Sequence, residues 1–381
     1  MRSGLTIFLA LTIAFYAGSL GLSRGERQRS VPNLAPKPSI RPLLAFLREA
    51  QGNSHAELWL FDPLAKRQQR ISVAHEYVVS SASFSGRSGL LAWWSILRYT
   101  REKSVYSLRT WPLTGGSPKT LYEDDRMQPR GAPAFTADGR SIIFGRSRGE
   151  FGDGPVYDWG LWQIGIDGGD RHPLTAGFGG SGASLFPQLS PDGRVIAFYG
   201  YLWEEVGALC WVKREGGHVR KTSLQMRDFA WHPDSQHLVV AKAGPRDEPW
   251  ETHLVSYDLR TGRITALTPY RRDHADYSPS FSPDATKLAY ISSRPAYAGR
   301  DSLIVLELKR RRARVVVADA DLTDPHGEFT WSADSSRLFY SLRASTSKGK
   351  ELQIWSVKAD GTARRKVLDN AHSPTVVVMR G

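Results

Sequence analysis

The residues best able to do chemistry lie in polar stretches between short apolar runs. His75, Arg271, Arg272, Asp273, His274, Asp276, Asp324, His326, Glu328, Asp369 and His372 fall in such stretches, as do Asp124, Asp125, Arg126 and Arg130. Longer polar stretches add Asp153, Tyr157, Trp159, Trp203, Glu204, Glu205 and Trp250. Histidines with carboxylates are the right donor types for a transition-metal ion, or for proton transfer in a hydrolase or lyase. Their spacing argues against both. Each histidine sits in a different stretch, none at a ligand-pair interval from another, and the adjacent Glu204 and Glu205 would point to opposite faces of a strand. Arginines and aromatics gathered at one end of a scaffold suit recognition of a partner instead. The expected binding residues are Arg271, Arg272, His274, Tyr277, His326, Glu328, His372, Trp159 and Trp250, with no catalytic residue, metal or cofactor assigned.

What positions these residues is a repeat. The stretch Pro187–Gly200 reads as a strand ending at Leu189, a turn at Pro191-Asp192-Gly193 and an apolar strand from Val195 to Tyr199. Asp bonds its own backbone in such a turn and Gly accepts positive φ, which makes the stretch a hairpin. Copies stand at Pro133–Gly139, Phe229–Ser235, Pro279–Ala285 and Phe329–Ser335, with a worn one at Ser83–Arg87. The apolar anchors Phe84, Phe135, Leu189, Trp231, Phe281 and Trp331 are spaced by 51, 54, 42, 50 and 50 residues. Short strands recurring at that interval predict an all-β chain folded as a β-propeller. Asp138, Asp192, Asp234, Asp284 and Asp334 recur in register, as turn architecture would. A third strand follows each hairpin, and two of the fourth strands end in the same pair, Leu174-Thr175 and Leu267-Thr268.

The pattern begins in mid-repeat. Leu43-Leu-Ala-Phe46 matches the second strand Leu90-Leu-Ala-Trp93, and no first strand precedes it. Ser373–Met379 aligns with Ser278–Phe281, placing Val376 at the anchor, so the C-terminal strand is expected to complete the first blade. The expected ring has seven four-stranded blades; a six-bladed ring with the N-terminal strands packed outside is the alternative. Strand order places the strand 2–3 loops and blade connections, with the expected binding residues, on one face. The Asp turns and strand 3–4 turns fall on the other. That second face carries the basic run Lys309–Arg312 with Arg314, which lacks the interleaved aromatics of a nucleic-acid site and reads as a solvated corner.

The pattern Phe/Trp-Ser/Thr-Pro/Ala-Asp-Gly/Ser, followed by an Ile-Ala-Phe type strand and an Asp-Gly-Gly turn, resembles the PD40 (WD40-like) repeats of the TolB family over residues 43–379. Similar repeats occur in the propellers of the prolyl oligopeptidase and dipeptidyl peptidase group. The resemblance implies a propeller scaffold and says little about activity, because propellers host many. Two departures matter. The α/β domain that precedes the propeller in TolB proteins has no counterpart here, so that domain's partner contacts do not transfer. The peptidase relatives carry a G-x-S-x-G elbow, and Gly179-Gly-Ser-Gly-Ala183 fails it at the last position.

Composition sets the surroundings. Residues 1–23 combine Arg2 with an apolar run from Leu5 to Leu22, the form of a signal peptide or an uncleaved membrane anchor. Residues 24–42, with Pro32, Pro36, Pro38 and Pro42 among arginines, read as a tether, and residues 43–381 as the propeller. The chain of 381 residues carries a net charge of +13, which favours anionic surroundings, and its one cysteine, Cys210, allows no intrachain disulfide. The expected protein is exported to a periplasmic or other extracytoplasmic space. There it is expected to bind an envelope protein or glycan, and no nucleic acid, through its loop-rich face without catalysis. A propeller-hosted hydrolase or lyase acting on an acidic polysaccharide is the alternative.

Overall fold

The computed structural model describes residues 40–49, 56–99, 104–125, 129, 131–146, 160–175, 182–202, 207–245, 248, 250–294, 300–322, 329–347 and 349–380. Their regular structure is all β. No helix among them is long and apolar enough to cross a membrane, and the expected export segment and residues 24–39 lie outside them.

The building unit is a four-strand antiparallel meander. Gly182–Leu189 pairs with Val195–Leu202, which pairs with Ala208–Lys213, which pairs with Arg220–Trp231. The same order runs through Ser83–Ser85, Leu90–Tyr99, Ser104–Pro112 and Lys119–Asp124. It recurs from Ala134–Phe135 to His172–Pro173, from Ala275–Phe281 to Arg312–Ala320, and from Phe329–Trp331 to Arg365–Asp369. Arg220–Trp231 serves twice: its start ends one meander, and from Met226 it opens the next against His237–Ala243. The strand at the C-terminus, His372–Arg380, pairs antiparallel with Ile40–Glu49, setting Val376 opposite Leu44 and Val377 opposite Leu43.

The first strands neighbour one another in an order that closes on itself. Thr375 Oγ1 donates to Ala82 O (3.2 Å), Ser83 Oγ to Pro133 O, Trp231 Nε1 to Gln188 O (3.1 Å), Ser278 N to Asp228 Oδ2 (2.9 Å) and Trp331 Nε1 to Ser280 O (3.1 Å). Ala134–Phe135 abuts Gly182–Leu189, and Phe329–Trp331 abuts His372–Arg380. Apolar side chains fill the space between successive meanders. Trp94 meets Phe144 edge-on at 5.4 Å, and Leu44 and Phe46 pack with Ile354 and Leu368 where the last meander meets the first. Fully burying side chains of this size is worth about 1.5–3 kcal/mol each. Cys210 is wholly buried, and burial pushes its thiol up to about 12, so it acts as a small apolar group.

The first strand starts at Ile40, three residues ahead of the expected boundary, so residues 40–42 belong to the sheet rather than to a tether. Pro42 is tolerated there because the pairing with Ala56–Asp62 begins only at Leu44. At Pro42 the strand has a partner on one side only, as at a sheet edge.

The repeated Asp turns have one geometry. Asp138, Asp192, Asp284 and Asp334 each accept from the hydroxyl two residues earlier (Thr136, Ser190, Ser282, Ser332) at 2.5–2.6 Å and from the backbone N–H two residues later at 3.0–3.1 Å. The residue after each Asp is left-handed: φ is 68° at Gly139, 71° at Gly193, 59° at Ala285 and 61° at Ser335. Close approach dictates glycine at two of these. A Cβ at Gly193 would lie 2.8 Å from the Ala137 methyl, and one at Gly139 would lie 2.9 Å from Ser85 Oγ. At Ser335 the side chain has a use, since its hydroxyl accepts from Asp284 N (3.0 Å) and ties neighbouring turns together.

Asp284→Ala should therefore cost on the order of 1 kcal/mol, the net worth of such hydrogen bonds, with the fold retained. The hydroxyls of Thr136, Ser190 and Ser332 hold Asp138, Asp192 and Asp334 below the usual carboxylate range. At Asp284 burial pushes upward but is outweighed by Ser282 and Thr286. A depressed folded-state pKa gives stability that is complete above the unfolded value, about 4, and lost as pH falls through the folded value. Melting temperature should fall between pH 5 and pH 2, less steeply in Asp284→Ala. Identical slopes for the two proteins would remove this carboxylate from the acid sensitivity.

Candidate functional site

Among the described residues the most exposed aromatic is Trp250, and the rim cluster around it is assembled from two segments joined by a carboxylate. Gly244 follows His237–Ala243 and Glu251 precedes Thr252–Asp258; after Ile264–Ala266 a connection through 267–274 leads to Ala275–Phe281. Glu251, 4% exposed, holds the two together. One of its oxygens accepts from the Tyr270 hydroxyl and the other from Asp273 N at 2.5 Å. The loop closes on itself through Gly244 N to Glu251 O (2.7 Å), and Thr252 fastens the connection by donating from N to His274 O (3.3 Å) and from Oγ1 to Asp276 O (2.8 Å). Gly244 is required here, because a Cβ would stand 2.7 Å from Glu248 O.

The clasp leaves large groups in solvent. Trp250 is 73% exposed, Tyr270 41% exposed, and Arg271 and Arg272 are exposed beside them. Arg272 lies 3.6 Å from Glu248. The hydrogen bond from Tyr270 holds Glu251 below its usual value, and the same bond pushes the Tyr270 hydroxyl up to about 12. The clasp is thus an ionised carboxylate and a neutral phenol across the ordinary pH range.

Beneath the rim lies a buried polar group. His274 Nε2 sits 3.1 Å from Asp276 Oδ1 and 3.1 Å from Ser292 Oγ. Ser, His and Asp are the residue types of a nucleophilic relay, but a relay needs the nucleophile and the orienting carboxylate on opposite ring nitrogens. Here both contacts fall on one nitrogen, and Nδ1 has no partner. Nearby, burial lowers the His253 pKa, with Lys242 adding to the effect. Tyr277 is 2% exposed, donates to Asp301 Oδ1 (3.3 Å) and carries the Arg227 guanidinium 4.2 Å from its ring centroid.

The structure brings Arg271, Arg272 and Trp250 into one surface cluster. It corrects three other expected rim residues. His274 and Tyr277 are buried because the connection, pinned by Glu251 and Thr252, turns inward before the strand begins at Ala275. His372 is buried with Nδ1 3.1 Å from Ser373 Oγ, because it opens the strand that pairs with Ile40–Glu49. Trp159, His326 and Glu328 lie outside the described residues. Among the described residues His75, His274 and His372 do not gather around a point. Sequence reasoning missed Tyr270 and Glu251; neither belongs to the repeat, and only the tertiary contact between the two segments reveals them.

A protein TolB homolog of Chlorobium luteolum is 30% identical over 191 residues, which cover 48% of this chain and 40% of that protein. The chain thus spans well under half the length of that relative. No protein-family model matches the chain. Among solved structures, TolB from Acinetobacter baumannii superposes with a TM-score of 0.52 at 13% identity, over 88% of this chain and 66% of that one. An oligogalacturonate lyase in complex with manganese superposes with a TM-score of 0.60 at 9% identity, over 87% of this chain and 86% of that one. The chain has the β-propeller fold of these neighbours, one of them TolB and another an enzyme, so the fold alone does not choose between binding and catalysis.

Proposed function

We propose that the chain is an exported, non-catalytic β-propeller of seven four-stranded blades that captures an envelope protein or glycan on its loop-rich face. The observation that carries this reading is the exposure of Trp250, at 73%, beside Tyr270, Arg271 and Arg272 on a backbone fastened by Glu251. A large aromatic and arginines on a preorganised surface are the groups that usually supply interface energy. The net charge of +13 suits an acidic partner. The blade count rests on the run of meanders from Ser83 to Asp369 together with the sheet that joins the chain ends. The similarity to TolB proteins and the apolar run at residues 5–22 support the extracytoplasmic location.

Arg272→Ala and Trp250→Ala should each weaken binding to a partner recovered from envelope extract by about 1–3 kcal/mol, within the range for such anchors. Neutralising Lys309, Arg310 and Arg311 together should remove only salt-sensitive attraction. Titrations at low and physiological salt separate the two. A larger loss from the basic turn at physiological salt would move the working face to the opposite side.

A further inference from the structure

One Asp turn departs from the others at both positions that face its carboxylate. Two residues before the Asp, the other turns carry Thr136, Ser190, Ser282 and Ser332; here stands His232. Three residues after it, the others carry Ser141, Val195, Lys287 and Arg337; here stands His237. The turn keeps its form: Asp234 Oδ1 accepts from Gln236 N (2.8 Å) and His237 N (3.0 Å), and Ser235 is left-handed with φ 61°. That leaves Oδ2 for the two imidazoles, with His237 Nδ1 at 2.7 Å and His232 Nδ1 at 3.1 Å.

We propose that His232, Asp234 and His237 form a zinc-type divalent cation site on the turn face of the propeller. Two imidazoles and one carboxylate are a common donor set for Zn²⁺, and three protein ligands leave the fourth tetrahedral position to water. With ligand bonds of about 2.0–2.2 Å, tetrahedral donors stand roughly 3.3 Å apart. The donors here lie within 4.8 Å of one another, so small rotations of two half-exposed rings suffice.

The surroundings fit the same reading. Metal-bound histidines usually give their second nitrogen to a carboxylate, and Asp258 Oδ2 stands 3.9 Å from His237 Nε2. The His232 ring is braced edge-on by Phe281 of the next meander, 5.0 Å away. Binding would replace the 2.7 Å contact of His237 Nδ1 and the 3.1 Å contact of His232 Nδ1 with Asp234 Oδ2 by bonds to the ion, together with the 3.2 Å hydrogen bond from Asp234 N to His232 Nδ1. The ion would do what the hydroxyl does in the other turns, hold the Asp, and would add a link between the ends of two strands. The site lies on the face opposite the rim cluster and does not depend on that cluster's function.

The test is titration of the metal-free full chain with Zn²⁺ by calorimetry, with Co²⁺ absorption as a second readout and Mg²⁺ as a control. His232→Ser restores the residue of three sister turns and His237→Lys that of another, so both variants should fold. The wild type should bind one Zn²⁺ and melt at higher temperature with it, and the Co²⁺ form should show a tetrahedral spectrum. Each variant should lose at least about tenfold in affinity, since even outer-shell changes cost 10–100-fold. The metal-free melting temperature of His232→Ser should match the wild type. Absence of one-to-one Zn²⁺ binding, or equal affinity in His232→Ser, would overturn the site; if His237→Lys fails to fold, His232→Ser decides alone.

Discussion

Deleting Ser373–Gly381 should abolish cooperative unfolding rather than lower its midpoint. The deletion takes the first strand from the sheet built on Ile40–Glu49, and with it the pairings Leu43↔Val377, Leu44↔Val376 and Ala45↔Thr375. Val377 is fully buried in a cluster with Leu43, Ala45 and Leu91, and each such side chain brought into water costs about 1.5–3 kcal/mol. Links to both neighbouring sheets go too: Ser373 N to Ser341 Oγ (3.0 Å) and Thr375 Oγ1 to Ala82 O (3.2 Å). A whole edge of backbone donors and acceptors is exposed as well. Together these losses match the total stability of a typical domain, about 5–15 kcal/mol. Calorimetry or circular dichroism of the truncated chain should show no transition, and a synthetic peptide of residues 371–381 should restore one in part. A normal melting curve after truncation would show that the ring does not need this strand.

The second large effect is expected at Glu76. Its side chain is wholly buried, accepts from Trp93 Nε1 (2.8 Å) and Val73 N (2.8 Å), and lies 3.7 Å from Arg109 Nε. Glu76→Ala would leave two donors without an acceptor and a guanidinium, 8% exposed, without its counter-charge. Breaking a buried pair from one side costs about 3–5 kcal/mol. Removing Arg109 in the same molecule should cost less than the two single changes combined, because no lone charge then stays inside. Denaturant melts of Glu76→Ala, Arg109→Met and the double variant measure this. Additive losses would mean that the two side chains act separately.

What was legible in the sequence is what recurs in it. The Asp turns were visible because backbone geometry restricts turn residues to a few types, and the pairing of His372–Arg380 with Ile40–Glu49 because Ser373–Val376 repeats Ser278–Phe281. Even the Leu-Thr endings have a cause in the repeat: Thr175 Oγ1 accepts from Leu161 N and Thr268 Oγ1 from Leu254 N, both at 2.9 Å. Glu76 and Glu251 occur once each, and their partners lie elsewhere in the chain, so no local pattern marks them. The inward placement of His274 follows from how two segments are fastened together, which local polarity does not encode. The unlike turn at His232 and His237 was passed over because Phe229–Ser235 reads as one more copy of the repeat.

The join between the chain's two ends also governs its timing during synthesis. Arg48 Nε donates to Asn370 O across 322 residues of sequence. At about 5–20 residues per second, Ile40–Glu49 waits on the order of tens of seconds for His372–Arg380 to emerge. Successive meanders can form meanwhile, yet Ile40–Glu49 keeps one side unpaired until the last strand is translated. Until then the open edge of Ile40–Glu49 is where mispairing is expected.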